Sequence, residues 1–217
     1  PLTARYMPEL IALVGADQGM QITLPEPSWR DVVVQFVKNL SQIGLLVLIF
    51  LNMGGFAREK ERGTLAFLMV KPAPLGTQMI AKIGAVWLRD LLAMALATGL
   101  TMFYTGLFFG DYPMADFLAC AALILFYFWL MALVGIALSA IAQTVTMSGV
   151  LTLSVWIAMM IFQLLPGIGA WSLTGLAGAA SEAALGIAPD LSALWGGLLL
   201  SGILLLLANR ALRRWEA

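Results

Sequence analysis

The residues able to do chemistry in this 217-residue sequence are few, and their types exclude most reactions before spacing is considered. Histidine is absent and Cys120 is the sole cysteine. That removes histidine acid–base catalysis, Cys/His metal sites, an intrachain disulfide and a Cys–His nucleophile pair. What remains is charge. Lys and Arg number 12 and Asp and Glu 12, for a formal net charge of zero, so no basic surface for nucleic acid is implied. Three placements invite a function: the alternating run Arg58-Glu59-Lys60-Glu61-Arg62 ahead of Gly63-Thr64-Leu65, the adjacent pair Arg89-Asp90, and Glu182 in a segment of small apolar residues. Such groups form ion pairs and docking contacts. They do not assemble a nucleophile with its base, and the chain is not expected to be an enzyme.

The elements that must position these charges are apolar. Hydrophobic residues make up 61% of the sequence and charged ones 11%, far below the roughly 25% charged of soluble domains, and the mean hydropathy is +0.94. Uncharged runs of 19 residues separate Lys38 from Arg58, 20 separate Asp90 from Asp111, 65 separate Asp116 from Glu182, and 19 separate Asp190 from Arg210. A bilayer core about 30 Å thick needs roughly 20 helical residues, so the longest run holds two spans and each other run one. The expectation is an all-α, polytopic integral membrane protein in a single domain over residues 1–217, with five transmembrane helices near Leu40–Phe56, Met79–Phe109, Phe117–Ile141, Thr146–Leu165 and Leu191–Ala208.

Counting Lys and Arg on alternate sides sets the orientation, because cytoplasmic flanks carry the excess. Arg58, Lys60, Arg62, Lys71 and Lys82 share a side with Arg210, Arg213 and Arg214, whereas the two loops of the opposite side carry only Asp111, Asp116, Glu182 and Asp190. The 57–78 connection and the C-terminus are therefore expected in the cytoplasm and residues 1–38 outside. An outer N-terminal segment without its own signal is most simply explained by a preceding helix absent from this chain, giving six spans in the full unit.

Ser28 and Asp31 form a start resembling a capping box, and Trp29, Val32, Val33, Phe36, Val37 and Leu40 recur at helical spacing. This predicts an amphipathic helix leading into the first span. It reads as an outer-leaflet anchor with Trp29 at headgroup depth in preference to a gate. Residues 1–27, with Pro8, Pro25 and Pro27, read as an irregular or partly helical outer loop.

Thr64–Val70 is a short apolar helix candidate closed by Lys71-Pro72 and Pro74, with Thr77 able to cap the helix that follows. Leu65, Phe67, Leu68 and Met69 need a covering surface, since so short a helix is unstable alone in water. A partner protein and the inner leaflet both supply one.

Glu59-x-Glu61-Arg62-Gly63-Thr64-Leu65 followed by Lys71-Pro72, between two spans, resembles the elbow and coupling segment of type-2 ABC exporter permeases. The motif covers about Arg58–Lys82, and the order of elements agrees over essentially the whole chain. The resemblance implies a six-span permease subunit with its coupling helix between the second and third spans and a re-entrant outer hairpin between the fifth and sixth. It implies as partners a separate ABC-type ATPase subunit docked on 64–70, carrying the ATP and Mg, and a second permease subunit, identical or not, in a membrane that is the bacterial inner membrane. The chain itself has no G-x-x-x-x-G-K-[ST] phosphate loop, and no cofactor of its own is expected. On the same resemblance Glu59, Glu61, Arg62, Gly63, Thr64, Leu65, Phe67 and Leu68 couple the chain to the ATPase. Without it, the runner-up reading is a free-standing membrane scaffold or channel.

Pro166–Ser192 stays apolar and small where an exposed loop should be polar. Pro166-Gly-Ile-Gly and Gly186-Ile-Ala-Pro189 bracket short helical pieces, as a re-entrant hairpin would require. Glu182 there is read as a surface acid or a contact at the outer exit. Arg89 and Asp90 point about 100° apart on a helix and are not expected to stack on each other. They line an inner vestibule of a translocation path or lie at inner headgroup level. The 20 uncharged residues that follow favour the headgroup.

Overall fold

The computed structural model describes residues 28–64 and 75–213, and every regular element among them is helical. Helix α1 (Trp29–Asn39) passes through a π-helical turn at Leu40–Gly44 into α2 (Leu45–Asn52), and a tight turn leads to the short α3 (Ala57–Glu61). Then come α4 (Leu75–Phe109), α5 (Met114–Ile141), α6 (Val145–Phe162), a 3₁₀ turn at Gly169–Trp171, α7 (Gly175–Ala184) and α8 (Ser192–Arg213). Five stretches are long and apolar enough to cross a membrane: Trp29–Glu61, Gly76–Phe109, Met114–Ile141, Val145–Phe162 and Ser192–Leu212. Each contains or overlaps one expected span. The chain is an all-α polytopic membrane protein. Helix α4 has already begun at Leu75, so Thr77 lies in its first turn instead of capping it.

Helix α5 is the centre of the bundle. Of its apolar window 61% is buried, against 17–33% in the other four spans, which turn most of their surface outward. It packs on α2, α4, α6, α7 and α8, with Phe117, Ile124, Tyr127, Met131 and Ile136 closed off along its length. Lipid tails are as apolar as leucine, so close packing and a few polar contacts must choose these neighbours. Tyr127 takes a hydrogen bond from the Trp156 indole at 2.9 Å, tying α5 to α6. Trp129 donates to the Trp87 carbonyl at 3.2 Å and stacks on its ring at 5.0 Å, tying α5 to α4.

Helix α1 departs from the anchor reading. Its capping start is present, with Asp31 Oδ2 accepting from the Ser28 backbone N–H at 2.8 Å. Val32, Val33, Phe36 and Val37, however, are only 1–8% exposed, and Phe36 meets the Phe117 ring at 5.2 Å. The apolar face is spent on the protein, because α7 and the start of α5 cover it before lipid can. Helix α7 buries Leu176, Ala179, Ala180, Ala183 and Ala184. The hairpin that carries it turns at Gly167 and Gly186, at φ +82° and +72°. Its polar groups are satisfied within the protein: Ser172 donates to the Met159 carbonyl at 2.6 Å, Thr174 to Gln163 Oε1 at 2.6 Å, and Ser192 to the Ala170 carbonyl at 2.9 Å. The bundle thus has an elbow end, with α3 and the α5–α6 turn, and a hairpin end, with α1 and α7.

Candidate functional site

The elbow is built around one close approach. Phe56 and Ala57 are fully buried, and the Phe56 N–H donates to Ser139 Oγ at 3.0 Å, which in turn donates to the Ile136 carbonyl at 2.7 Å. A Cβ on Gly55 would lie 2.4 Å from that same Oγ, so only glycine lets the turn meet α5 this closely.

Three consecutive residues of α3, Glu59, Lys60 and Glu61, each reach a different helix. Glu59 pairs with Lys82 of α4 at 2.5 Å, and Lys82 also donates to the Gly55 carbonyl at 3.2 Å, 4.7 Å from the Phe56 ring centroid. Lys60 donates to the Ala140 carbonyl and, at 3.2 Å, to the Ala142 carbonyl, the last acceptors of α5. Glu61 accepts the Val145 N–H at 3.0 Å, the first amide of α6, whose N-cap Thr144 accepts from Met147. A cation thus sits on the negative end of one helix and an anion on the positive end of the next, where unpaired carbonyls and amides need partners. Successive helical positions diverge by about 100°, which is why neighbours in sequence serve different helices.

Arg62 and Thr64 are exposed beyond this cluster, with Thr64 Oγ donating to the Glu59 carbonyl at 3.3 Å. Gly63 between them takes φ +68°, which turns the chain out of α3. Of the helix expected over Thr64–Val70, only Thr64 is described; Leu65, Phe67 and Leu68 lie outside the described residues.

A second polar cluster lies inside the bundle. Arg89 Nε and Nη2 donate to Asp90 Oδ1 at 3.0 and 2.6 Å, and Nη2 also donates to Asn52 Oδ1 at 3.0 Å. The sequence argument against their pairing fails because the arginine side chain is long enough to fold back onto its neighbour. Both residues stand near the middle of the 35-residue α4, within one turn of Trp87, which contacts Trp129 of α5. Asp90 is 5% exposed and Asn52 4%, while the Arg89 side chain keeps 38%. Among the described residues Asp90 Oδ2 and Asn52 Nδ2 are buried without a partner.

This cluster opens on a groove of about 400 Å³ between the first span and α4. Its walls are Leu40, Gly44, Val47, Leu48 and Leu51 on one side, and Ala93, Met94 and Ala97 with Phe128 on the other. Glu182 is not part of it. That residue is exposed at the hairpin end, its carboxylate 3.4 Å from the Asp190 backbone nitrogen. Asp190 accepts from the Ser192 N–H at 2.9 Å at the start of α8, and this bond holds its carboxyl below the usual range. The described residues contain no group of three His, Cys, Asp or Glu placed to hold a metal ion.

Three residues of these clusters escaped the sequence reading: Lys60 as an internal strap, Ser139 as its neighbouring anchor, and Asn52 as the third member of the buried cluster. Asn52 carried a signal, being the one amide between Gln42 and Arg58. Nothing in sequence distinguishes Ser139 from the other small residues of its helix.

Residues 41–192, which run from the first span through the hairpin, match a family described as ABC-2 family transporter protein. The chain is 32% identical over 148 residues to the uncharacterized transmembrane protein YxlG of Bacillus subtilis (strain 168), covering 67% of this chain and 57% of that protein. The chain therefore spans a little over half the length of that relative. No solved structure matches.

Proposed function

The chain belongs to the ABC-2 family of transporter proteins, and on that premise we propose that it is the permease subunit of an ATP-driven exporter, moved by a separate ATPase subunit that docks on 64–70. The observation that carries this reading is the elbow: Glu59, Lys60 and Glu61 fasten it to α4, α5 and α6. A push delivered at the segment immediately after Gly63 is then shared by three spans. Packed helices answer such a push as rigid bodies, so the motion reaches the hairpin end as rocking.

In this reading the carboxylates of Glu59 and Glu61 hold the elbow to the bundle, and exposed Arg62 and Thr64 face the ATPase with Leu65, Phe67 and Leu68. Mg-ATP binds the ATPase subunit alone. Two permease subunits, identical or not, work with two ATPases in the bacterial inner membrane, with the elbow and C-terminus in the cytoplasm. Arg89 and Asp90 border the translocation path, and Glu182 stands at its outer mouth. The excess of Lys and Arg on the elbow side supports that orientation.

The test is co-expression with the candidate ATPase and purification of the complex. Association that survives in the parent chain and is lost with Phe67→Asp plus Leu68→Asp supports the reading. Equal recovery of the ATPase with both chains overturns the docking assignment.

A further inference from the structure

We propose that the groove beside Arg89 binds a single-chain amphiphile ending in a carboxylate, seated on the guanidinium with its chain directed toward α1. Calling that molecule cargo rests on the permease reading above; the binding site itself does not.

A guanidinium has five N–H donors in a fixed fork. Nε and Nη2 of Arg89 are committed to Asp90 Oδ1 and Asn52 Oδ1, and neither N–H of Nη1 has an acceptor among the described residues. The committed edge is the buried one, since Asp90 and Asn52 are both at most 5% exposed, while Arg89 lines the groove and keeps 38% of its side chain open. The groove around those donors is otherwise apolar, so they call for an acceptor carried by a molecule that is itself largely apolar.

The groove has that polarity. Arg89 and Leu51 mark the end nearer the elbow, and Leu40 and Ala97 the other. Between Leu40 and Leu51 it runs about 16 Å, at 1.5 Å per helical residue. Apart from Arg89 and Asp90 all its lining residues are apolar, and its volume of about 400 Å³ lies within the range of small-molecule sites, roughly 300–1,000 Å³. The π-helical turn contributes Leu40 and Gly44 to the wall. A Cβ on Gly44 would stand 3.2 Å from the Phe128 ring, so the wall is closed there by the absence of a side chain. Turns of this type gather at functional sites.

Charge selects the head group. An ammonium would be repelled by the guanidinium and has no acceptor to offer, and a plain hydrocarbon would leave Nη1 unpaired. An anionic oxygen makes charge-assisted bonds to the open edge. A chain-bearing anion can come from a free carboxylate or from an anionic phospholipid, and the test separates them.

The experiment is saturation binding of radiolabelled oleate to the purified full chain in non-ionic detergent, with competition by oleyl alcohol and by dioleoyl phosphatidic acid. Saturable binding is expected, with oleyl alcohol competing at least tenfold more weakly than oleate. Arg89→Gln and Ala93→Phe should each weaken binding at least tenfold. Ala93→Phe fills the groove and leaves the polar cluster intact, so it carries the test even where Arg89→Gln, by stranding Asp90, fails to fold. Phosphatidic acid competing better than oleate assigns the groove to bilayer phospholipid and overturns the single-chain carboxylate; weaker competition supports it. Non-saturable binding, equal competition by the alcohol, or unchanged binding in Ala93→Phe overturns the proposal. So does full binding by a folded Arg89→Gln chain. ATPase association is scored on the same Ala93→Phe protein and should be unaffected, so loss of the site and loss of the permease reading are separate results.

Discussion

Gly55 and Ser139 stand so close that a Cβ on the first would lie 2.4 Å from the Oγ of the second. That hydroxyl cannot simply rotate away, because it accepts the Phe56 N–H at 3.0 Å and donates to the Ile136 carbonyl at 2.7 Å. Gly55→Ala should therefore cost about 1–3 kcal/mol, the usual range for overpacking a closed site. Ser139→Ala should cost a similar amount, about 1–3 kcal/mol, by leaving a buried amide unpaired. The two should be less than additive together, since removing the hydroxyl also removes the clash. Thermal unfolding of the four proteins in detergent reads the cycle; strict additivity would mean that the contact is not what makes glycine necessary.

The straps on the elbow should act on mechanics more than on assembly. Lys60→Met removes a cation from the end of α5, and Glu61→Gln an anion from the start of α6. Each should lower stability by only about 0.3–1 kcal/mol, as for other charges at helix ends. In the complex with the ATPase, both variants should keep subunit association and lose stimulation of ATP hydrolysis by the permease. Unaltered stimulation in the double variant would count against transmission through these contacts.

Charge reversal tests the tie between elbow and α4. Glu59 and Lys82 are a quarter exposed, at 24% and 27%, so solvent screens much of their attraction. Glu59→Lys or Lys82→Glu alone should lower the unfolding temperature, and the swapped pair should recover part of the loss. No recovery would show that hydrogen bonds to the Gly55 carbonyl, not the ion pair, carry the contact.

Orientation is open to a direct measurement, because Cys120 is fully buried and an introduced cysteine reports alone. A membrane-impermeant maleimide added to intact cells should label Glu182→Cys and leave Arg62→Cys unlabelled until the cells are permeabilised. The reverse pattern would invert the bundle and remove the docking reading with it.

Acid should loosen the start of α8. The bond from the Ser192 backbone N–H holds the Asp190 carboxyl below its ordinary value of 3.8. A group depressed in the folded state stabilises it above the unfolded pKa and loses that contribution as pH falls through the lower, folded value. Unfolding temperature should therefore drop on acidification below about pH 4, and the drop should be smaller in Asp190→Asn. Identical acid profiles for the two proteins would remove Asp190 from the account.

The sequence by itself determined the helical class, the number of spans and the position of the elbow, because each depends on local composition: a bilayer taxes every charge within about 20 residues of helix. The uncharged runs around Leu45–Asn52 and Thr146–Leu165 are legible without any neighbour. So were the glycine turns of the hairpin at Gly167 and Gly186, where the backbone takes positive φ. What the tertiary structure decided is the partner of each polar group. Lys60 finds the Ala142 carbonyl, and Glu61 the Val145 amide, more than 80 residues away. Arg89 and Asp90, whose helical spacing spoke against a pair, meet beside Asn52. Helix α1, amphipathic enough for a lipid surface, gives its apolar face to Phe117 and α7 instead. The physical reason is common to all three: hydropathy fixes that a helix crosses, but its rotation and tilt follow from packing against helices distant in the chain, and only these bring polar atoms within bonding distance.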